Sequence, residues 1–143
     1  MTETKKIGGV IVSHGRVANE LLAAAENVVG KLNHIAAVSI GWNDDVEKAN
    51  EEISRAIKKV SGGGGVLLLT DMFGGTPTNI SAMFIAEEVE IVTGVNLPMV
   101  IKLASQSKEI SLAEMAKNVE EQGRQSIQRA AELLAPQKLK KDA

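Results

Sequence analysis

The sequence predicts a doubly wound α/β domain with a mainly parallel sheet in strand order 2-1-3-4. Short β-branched or leucine-rich runs alternate with longer segments of helical period, as in right-handed βαβ units. The strand-like runs also stop at turn-forming segments, such as Ser13-His14-Gly15 and Gly41-Trp42-Asn43-Asp44, where a buried strand would reach a loop. The chain has 143 residues, 44% hydrophobic and 24% charged, enough for one domain with a core that needs no disulfide or metal staple.

Ile7 to Val12 reads as the first strand, ending at Ser13-His14-Gly15. Leu21, Leu22, Ala25, Val28, Val29 and Leu32 recur at helical spacing, so a helix is expected from Ala18 to Leu32. Ile35 to Ile40 is the second strand, and Asn43 or Asp44 supplies the cap of a helix reaching about Val60. Gly62 to Gly65 precedes the third strand, Val66 to Thr70, whereas a phosphate loop follows a strand; the run is read as a flexible connector. Thr76 is expected to cap a helix that starts at Pro77. Val89 to Thr93 is the fourth strand, Leu97 to Ala104 a helix, and Ser111-x-x-Glu114 a capping box for a helix ending near Gln122 with Gly123 as C-cap. Ser126 to Leu134 fits either a helix or a short edge strand. The domain is bounded at 1–136, and 137–143 form a polar tail.

Composition excludes several functions. A net charge of −2 implies no nucleic-acid partner, and without cysteine there is no thiolate nucleophile or Cys-ligated zinc. Runs such as Ile35 to Ile40 fall far short of the roughly 20 residues of a membrane span. The run after Lys5-Lys6 is too short for a signal-peptide core, so a cytoplasmic protein is expected.

In the order 2-1-3-4, the loops after strands 1 and 3 face each other across the crevice where such sheets bind ligands. Those loops carry His14 and Asp71. A neutral imidazole is nucleophilic at one nitrogen when the other is fixed, and a carboxylate at Asp71 would fix it. Gly74 and Gly75 allow close backbone approach to an anion, Thr76 offers a hydroxyl, and the start of the following helix offers amide groups. This set suffices for phosphoryl transfer and requires no metal or cofactor.

Each residue also has a plainer reading: His14 and Asp71 as ordinary loop and turn residues, His34 as a surface residue, Trp42 as core filler instead of a site wall. Met72 and Phe73 either tuck beneath the crevice or form a docking patch. Arg16 pairs with phosphate or a partner's acid, or is simply solvated.

The runs Gly8-Gly9-Val10-Ile11-Val12-Ser13-His14-Gly15, Asp71-Met72-Phe73-Gly74-Gly75-Thr76-Pro77-Thr78-Asn79 and Gly94-Val95-Asn96-Leu97-Pro98-Met99 resemble the mannose-type enzyme IIA domain of the bacterial phosphoenolpyruvate-dependent sugar phosphotransferase system. The resemblance extends to about Gly123. It implies a flavodoxin-like fold in which His14 accepts a phosphoryl group on Nε2 from the phosphocarrier HPr and passes it to a IIB domain that serves membrane IIC/IID subunits. It implies that Asp71 orients the ring through Nδ1, that Thr76 contacts phosphate, and that a homodimer forms in which a strand near Arg124 to Arg129 crosses to pair antiparallel with the partner's sheet. Some members continue into a IIB domain, whereas this sequence stops soon after Pro136, so a stand-alone IIA subunit is expected. The alternatives are a regulatory module sensed through its phosphorylation state and a related branch serving dihydroxyacetone kinase, which lacks the Gly-Gly-Thr-Pro pattern. A ligand-binding flavodoxin-like domain without covalent chemistry is a further contrast. Phe73 stands where other members carry different apolar residues, which bears on partner choice.

Overall fold

The computed structural model describes residues 6–43, 45–85, 88–106 and 109–135. Four parallel strands, β1 (Lys6–His14), β2 (Ile35–Ile40), β3 (Gly63–Thr70) and β4 (Val89–Thr93), form one sheet in the expected order β2-β1-β3-β4. Helices α1 (Val17–Val29), α2 (Val46–Val60), α3 (Thr76–Ser81), α4 (Leu97–Ala104) and α5 (Leu112–Gln125) surround it, with one 3₁₀ turn at Ala82–Phe84.

Alternation along the two central strands builds two core layers. Ile7, Ile11, Leu67 and Leu69 pack with residues of α1, α4 and α5, while Val10, Val12, Val66 and Leu68 pack with α2 and Ile80 of α3. Both faces are covered, which is why β1 and β3 read as nearly continuous apolar runs. Each fully buried leucine of β3 contributes roughly 1.5–3 kcal/mol relative to exposure. Within β1, a Cβ on Gly9 would fall 2.5 Å from Leu103 Cδ2, so the missing side chain lets α4 lie close to the sheet.

Several boundaries differ from the sequence-based expectation. Helix α1 stops at Val29 because Gly30 takes φ +93° and donates its N–H to Glu26 O; Leu32 is buried beyond the helix end. The cap of α2 is Asp45, whose carboxylate accepts from the Lys48 N–H, and not Asn43; Asp44 lies outside the described residues. Gly63 to Gly65 are not a connector but the first residues of β3, started by an antiparallel bridge between Lys6 and Gly62. Gly123 is no C-cap: it is buried inside α5, where a Cβ would come 2.5 Å from Met99 Sδ, and Ser126 ends the helix. Ser111 does accept from the Glu114 N–H as the capping pattern requires. Between residues 126 and 134 the chain makes an irregular turn and then a helical stretch over 130–135. The proposed tail, 137–143, and Pro136 lie outside the described residues.

Candidate functional site

His14 is the last residue of β1, and Asp71 immediately follows Thr70, the last residue of β3. Val12 pairs with Thr70 in the sheet, so both chains leave it side by side at the switch point. There the Asp71 carboxylate grips His14 twice through one oxygen. Oδ2 accepts from the His14 backbone N–H at 2.9 Å and lies 2.7 Å from ring Nδ1. The other oxygen, Oδ1, accepts from the Met72 N–H at 2.9 Å. Burial works to raise the Asp71 carboxyl, but the hydrogen bonds from the His14 backbone and ring and from Met72 outweigh it and hold the carboxyl below its ordinary value. An ionised Asp71 accepts a hydrogen bond from Nδ1–H, and the tautomer with its proton on Nδ1 carries its lone pair on Nε2.

The loop after β3 is braced from below. Buried Thr78 places its Oγ1 3.1 Å from Thr70 Oγ1 and donates to the Met72 carbonyl, while Val95 N–H donates to Thr70 O. Gly74 has φ +84°, and Gly75 brings bare backbone against the imidazole. A Cβ on Gly75 would fall 2.7 Å from His14 Cε1 and 3.3 Å from Nε2. The loop after β1 is braced by Ser13, fully buried, whose Oγ accepts from the Ala18 N–H at 2.7 Å in the first turn of α1.

Ser13 and Thr78 had no assigned role in the sequence reading; their signal was a hydroxyl within a few residues of a helix start. Thr76 is not the cap expected of it. Gly75 is the N-cap, and Thr76 is the exposed first residue of α3, followed by Pro77.

Around this pair the remaining candidates stand outward. Met72 and Phe73 are exposed, Phe73 by 80%, so they do not tuck beneath the crevice. Trp42 is 85% exposed, which rules out core filler, and its ring lies 5.4 Å from that of His14. Arg16 reaches Glu20 at 3.8 Å along α1 and is otherwise solvated. His34 is half-buried, not a plain surface residue; burial, aided by the charge of Lys6, lowers its pKa from the ordinary 6.5. Among the described residues no cluster of three or more His, Cys, Asp or Glu is arranged to hold a metal ion, and no helix is long and apolar enough to cross a membrane.

A histidine oriented by a carboxylate at the switch point of a doubly wound sheet is the arrangement of an α/β domain with a ligand crevice and an imidazole suited to nucleophilic or acid–base chemistry. Comparison with known proteins makes that class specific: residues 8–120 match the model of the EIIA-man family, described as the PTS system fructose IIA component, and the chain belongs to this mannose-type IIA family of the sugar phosphotransferase system. It is 31% identical over 130 residues to the fructose-specific EIIA component of Bacillus subtilis, covering 90% of this chain and 89% of that one. It is 29% identical over 121 residues to the mannose-specific EIIAB component of Escherichia coli. That match takes in 82% of this chain but only 38% of the relative, so this chain spans well under half of the two-part protein. Among solved structures, the mannose/sorbose-specific IIA subunit from Enterococcus faecalis superposes with a TM-score of 0.78 at 30% identity, covering 87% of this chain and 94% of that one. The chain is therefore a sugar phosphotransferase component with a transferase role.

Proposed function

We propose that the chain is a cytoplasmic phosphoryl carrier in which His14 takes a phosphoryl group from phospho-HPr and delivers it to a IIB domain or subunit. The observation that carries this reading is the double grip of Asp71 Oδ2 on the backbone and ring of His14. It directs Nε2 outward with its lone pair free for attack on phosphorus. As the Nε2–P bond forms, the bond from phosphorus to the donor's nitrogen breaks and its electron pair leaves with the donor. The Nδ1 proton stays between the ring and Asp71, which offsets the positive charge the ring acquires.

Gly74, Gly75 and Thr76 are proposed to receive the phosphoryl oxygens, since Gly75 brings open backbone beside the ring edge that carries Nε2, and Gly74 and the Thr76 hydroxyl flank it in the chain. Exposed Met72, Phe73 and Arg16 border the same opening and are proposed to dock HPr and IIB in turn. The relatives are named for fructose, mannose and sorbose. The proposed substrate is a protein phosphohistidine, with the sugar selected by membrane IIC/IID subunits.

A homodimer is part of the proposal. Strand β4 is the sheet edge beside a groove of about 660 Å³ lined by Glu90, Val92, Met99, Ala116 and the exposed Ile127. Among the described residues no strand covers that edge, and an edge flanked by apolar residues suits a crossing strand from a second copy. The proposed domain, 1–136, would supply that strand from the segment after α5.

The test is intact-mass spectrometry at neutral to mildly basic pH after incubation with phosphoenolpyruvate, enzyme I and HPr. One acid-labile phosphate is expected on the wild type and none on His14→Ala, whose fold should persist because His14 lies at a strand end. Phosphate retained by the variant moves the acceptor elsewhere. Labelled protein that no IIB discharges would instead mark a regulatory module.

A further inference from the structure

We infer that Trp42 is a positioning residue for phosphoryl transfer, its indole lying against the His14 imidazole and steadying the ring in the cationic form that transfer creates. The inference rests on His14 being the phosphoryl acceptor. Trp42 follows β2 by two residues, and Ile40 at the end of β2 pairs with His14 in the sheet register. The Gly15 N–H donates to the Ile40 carbonyl at 3.0 Å, which ties the two outgoing loops together. The indole therefore arrives beside the imidazole from a third loop, with ring centroids 5.4 Å apart and planes inclined by 33°.

The other holds on the ring leave one motion open. Asp71 fixes Nδ1, and the backbone of Gly75 lies against the edge that carries Cε1 and Nε2. A hydrogen bond along the Nδ1–Oδ2 line resists displacement but allows the ring to roll about that line. A broad aromatic neighbour resists the roll. Trp42 touches the acceptor while remaining 85% exposed, so its burial adds little to the core.

The charge argument points the same way. When Nε2 bonds to phosphorus and the donor nitrogen departs with its electron pair, His14 keeps its Nδ1 proton and the ring becomes positive. The electron-rich indole attracts such a cation, by an amount corresponding to about two- to five-fold in rate at an exposed site. Phenylalanine retains a weaker version of both effects, and alanine retains neither.

The full chain is treated with phosphoramidate, a small phosphoryl donor that needs no docking surface, and phosphate is located by peptide mapping so that His34 is scored separately. Trp42→Ala should phosphorylate on His14 about two- to five-fold more slowly than wild type, with Trp42→Phe recovering most of the loss. Because Trp42 is the only tryptophan, the intrinsic fluorescence belongs to it alone and should change as His14 is phosphorylated, but not in His14→Gln. Equal rates in all three proteins, or fluorescence indifferent to phosphorylation, would overturn the inference. So would a loss seen with phospho-HPr but not with phosphoramidate, which would make Trp42 a docking residue. The acceptor reading fails separately, if His14→Gln takes up phosphate from phospho-HPr as fast as wild type.

Discussion

The inner and outer halves of the candidate site are built on opposite principles. His14, Asp71, Gly75 and Thr78 are tied to strand ends by backbone contacts and hydrogen bonds of 2.7–3.1 Å. Arg16, Met72 and Phe73 stand on the rim, largely in water. The difference separates two tasks: a transferred group needs its acceptor held to fractions of an ångström, whereas exchange with successive partners needs an accessible surface that releases them. Substitutions in the inner half should therefore act on the chemical step, and substitutions on the rim should act on encounter.

Asp71→Asn is expected to show the largest effect of this contrast. An amide NH₂ facing Nδ1 would favour the tautomer with its proton on Nε2, removing the lone pair that attacks. Transfer should slow by on the order of 10²–10⁴-fold in single-turnover labelling while the acceptor remains His14. A wild-type rate would remove the carboxylate from the mechanism.

Gly75→Ala comes next. Its φ of −87° suits alanine, so no backbone strain arises, but the new methyl would fall 2.7 Å from His14 Cε1 and must displace the ring. A slowing of about 10–10²-fold is expected, with thermal unfolding little changed. An unaltered rate would show that the acceptor tolerates looser placement than the inner half suggests.

On the rim, Phe73→Ala should raise the apparent KM for phospho-HPr about five-fold and leave the rate with phosphoramidate unchanged. Slowing with both donors would merge the two halves into one.

The smallest effect lies outside both, at His34. Its pKa is lowered by burial and by Lys6, so the unfolded chain binds the proton more readily than the native one. Stability should fall as pH drops from about 6.5 towards the lowered native value, because unfolding is then coupled to proton uptake. His34→Gln should flatten that part of a chemical-denaturation pH series. An unchanged slope would place the acid sensitivity in other groups.

Most of the architecture was legible because it depends on periodicity. Strand 2 runs from Ile35 to Ile40 and strand 4 from Val89 to Thr93 as the apolar runs indicate, and the sheet takes the expected order, each crossover obeying the right-handed rule. Glycine was the weakest guide. Gly63 to Gly65 resemble a linker by composition but extend β3, since the pairing of Gly63 with Lys6 of β1 supplies an order that local propensity opposes. Gly123 resembles a stop signal, yet its value lies in the room it leaves for Met99.

The sequence by itself determined that a histidine and an aspartate would stand at the carboxyl ends of two strands of a parallel sheet, because where a strand ends is a property of local pattern. Only the tertiary structure decided that the two strands would be neighbours, that one oxygen of Asp71 would bind both the backbone and the ring of His14, that Gly75 would leave the imidazole the room a Cβ would fill, and that Trp42 would reach the imidazole from a third loop. Those contacts join residues up to 61 positions apart, from His14 to Gly75, and depend on the direction in which each loop leaves the sheet. Spacing along the chain carries no such direction; it is set when the two core layers close on the strands.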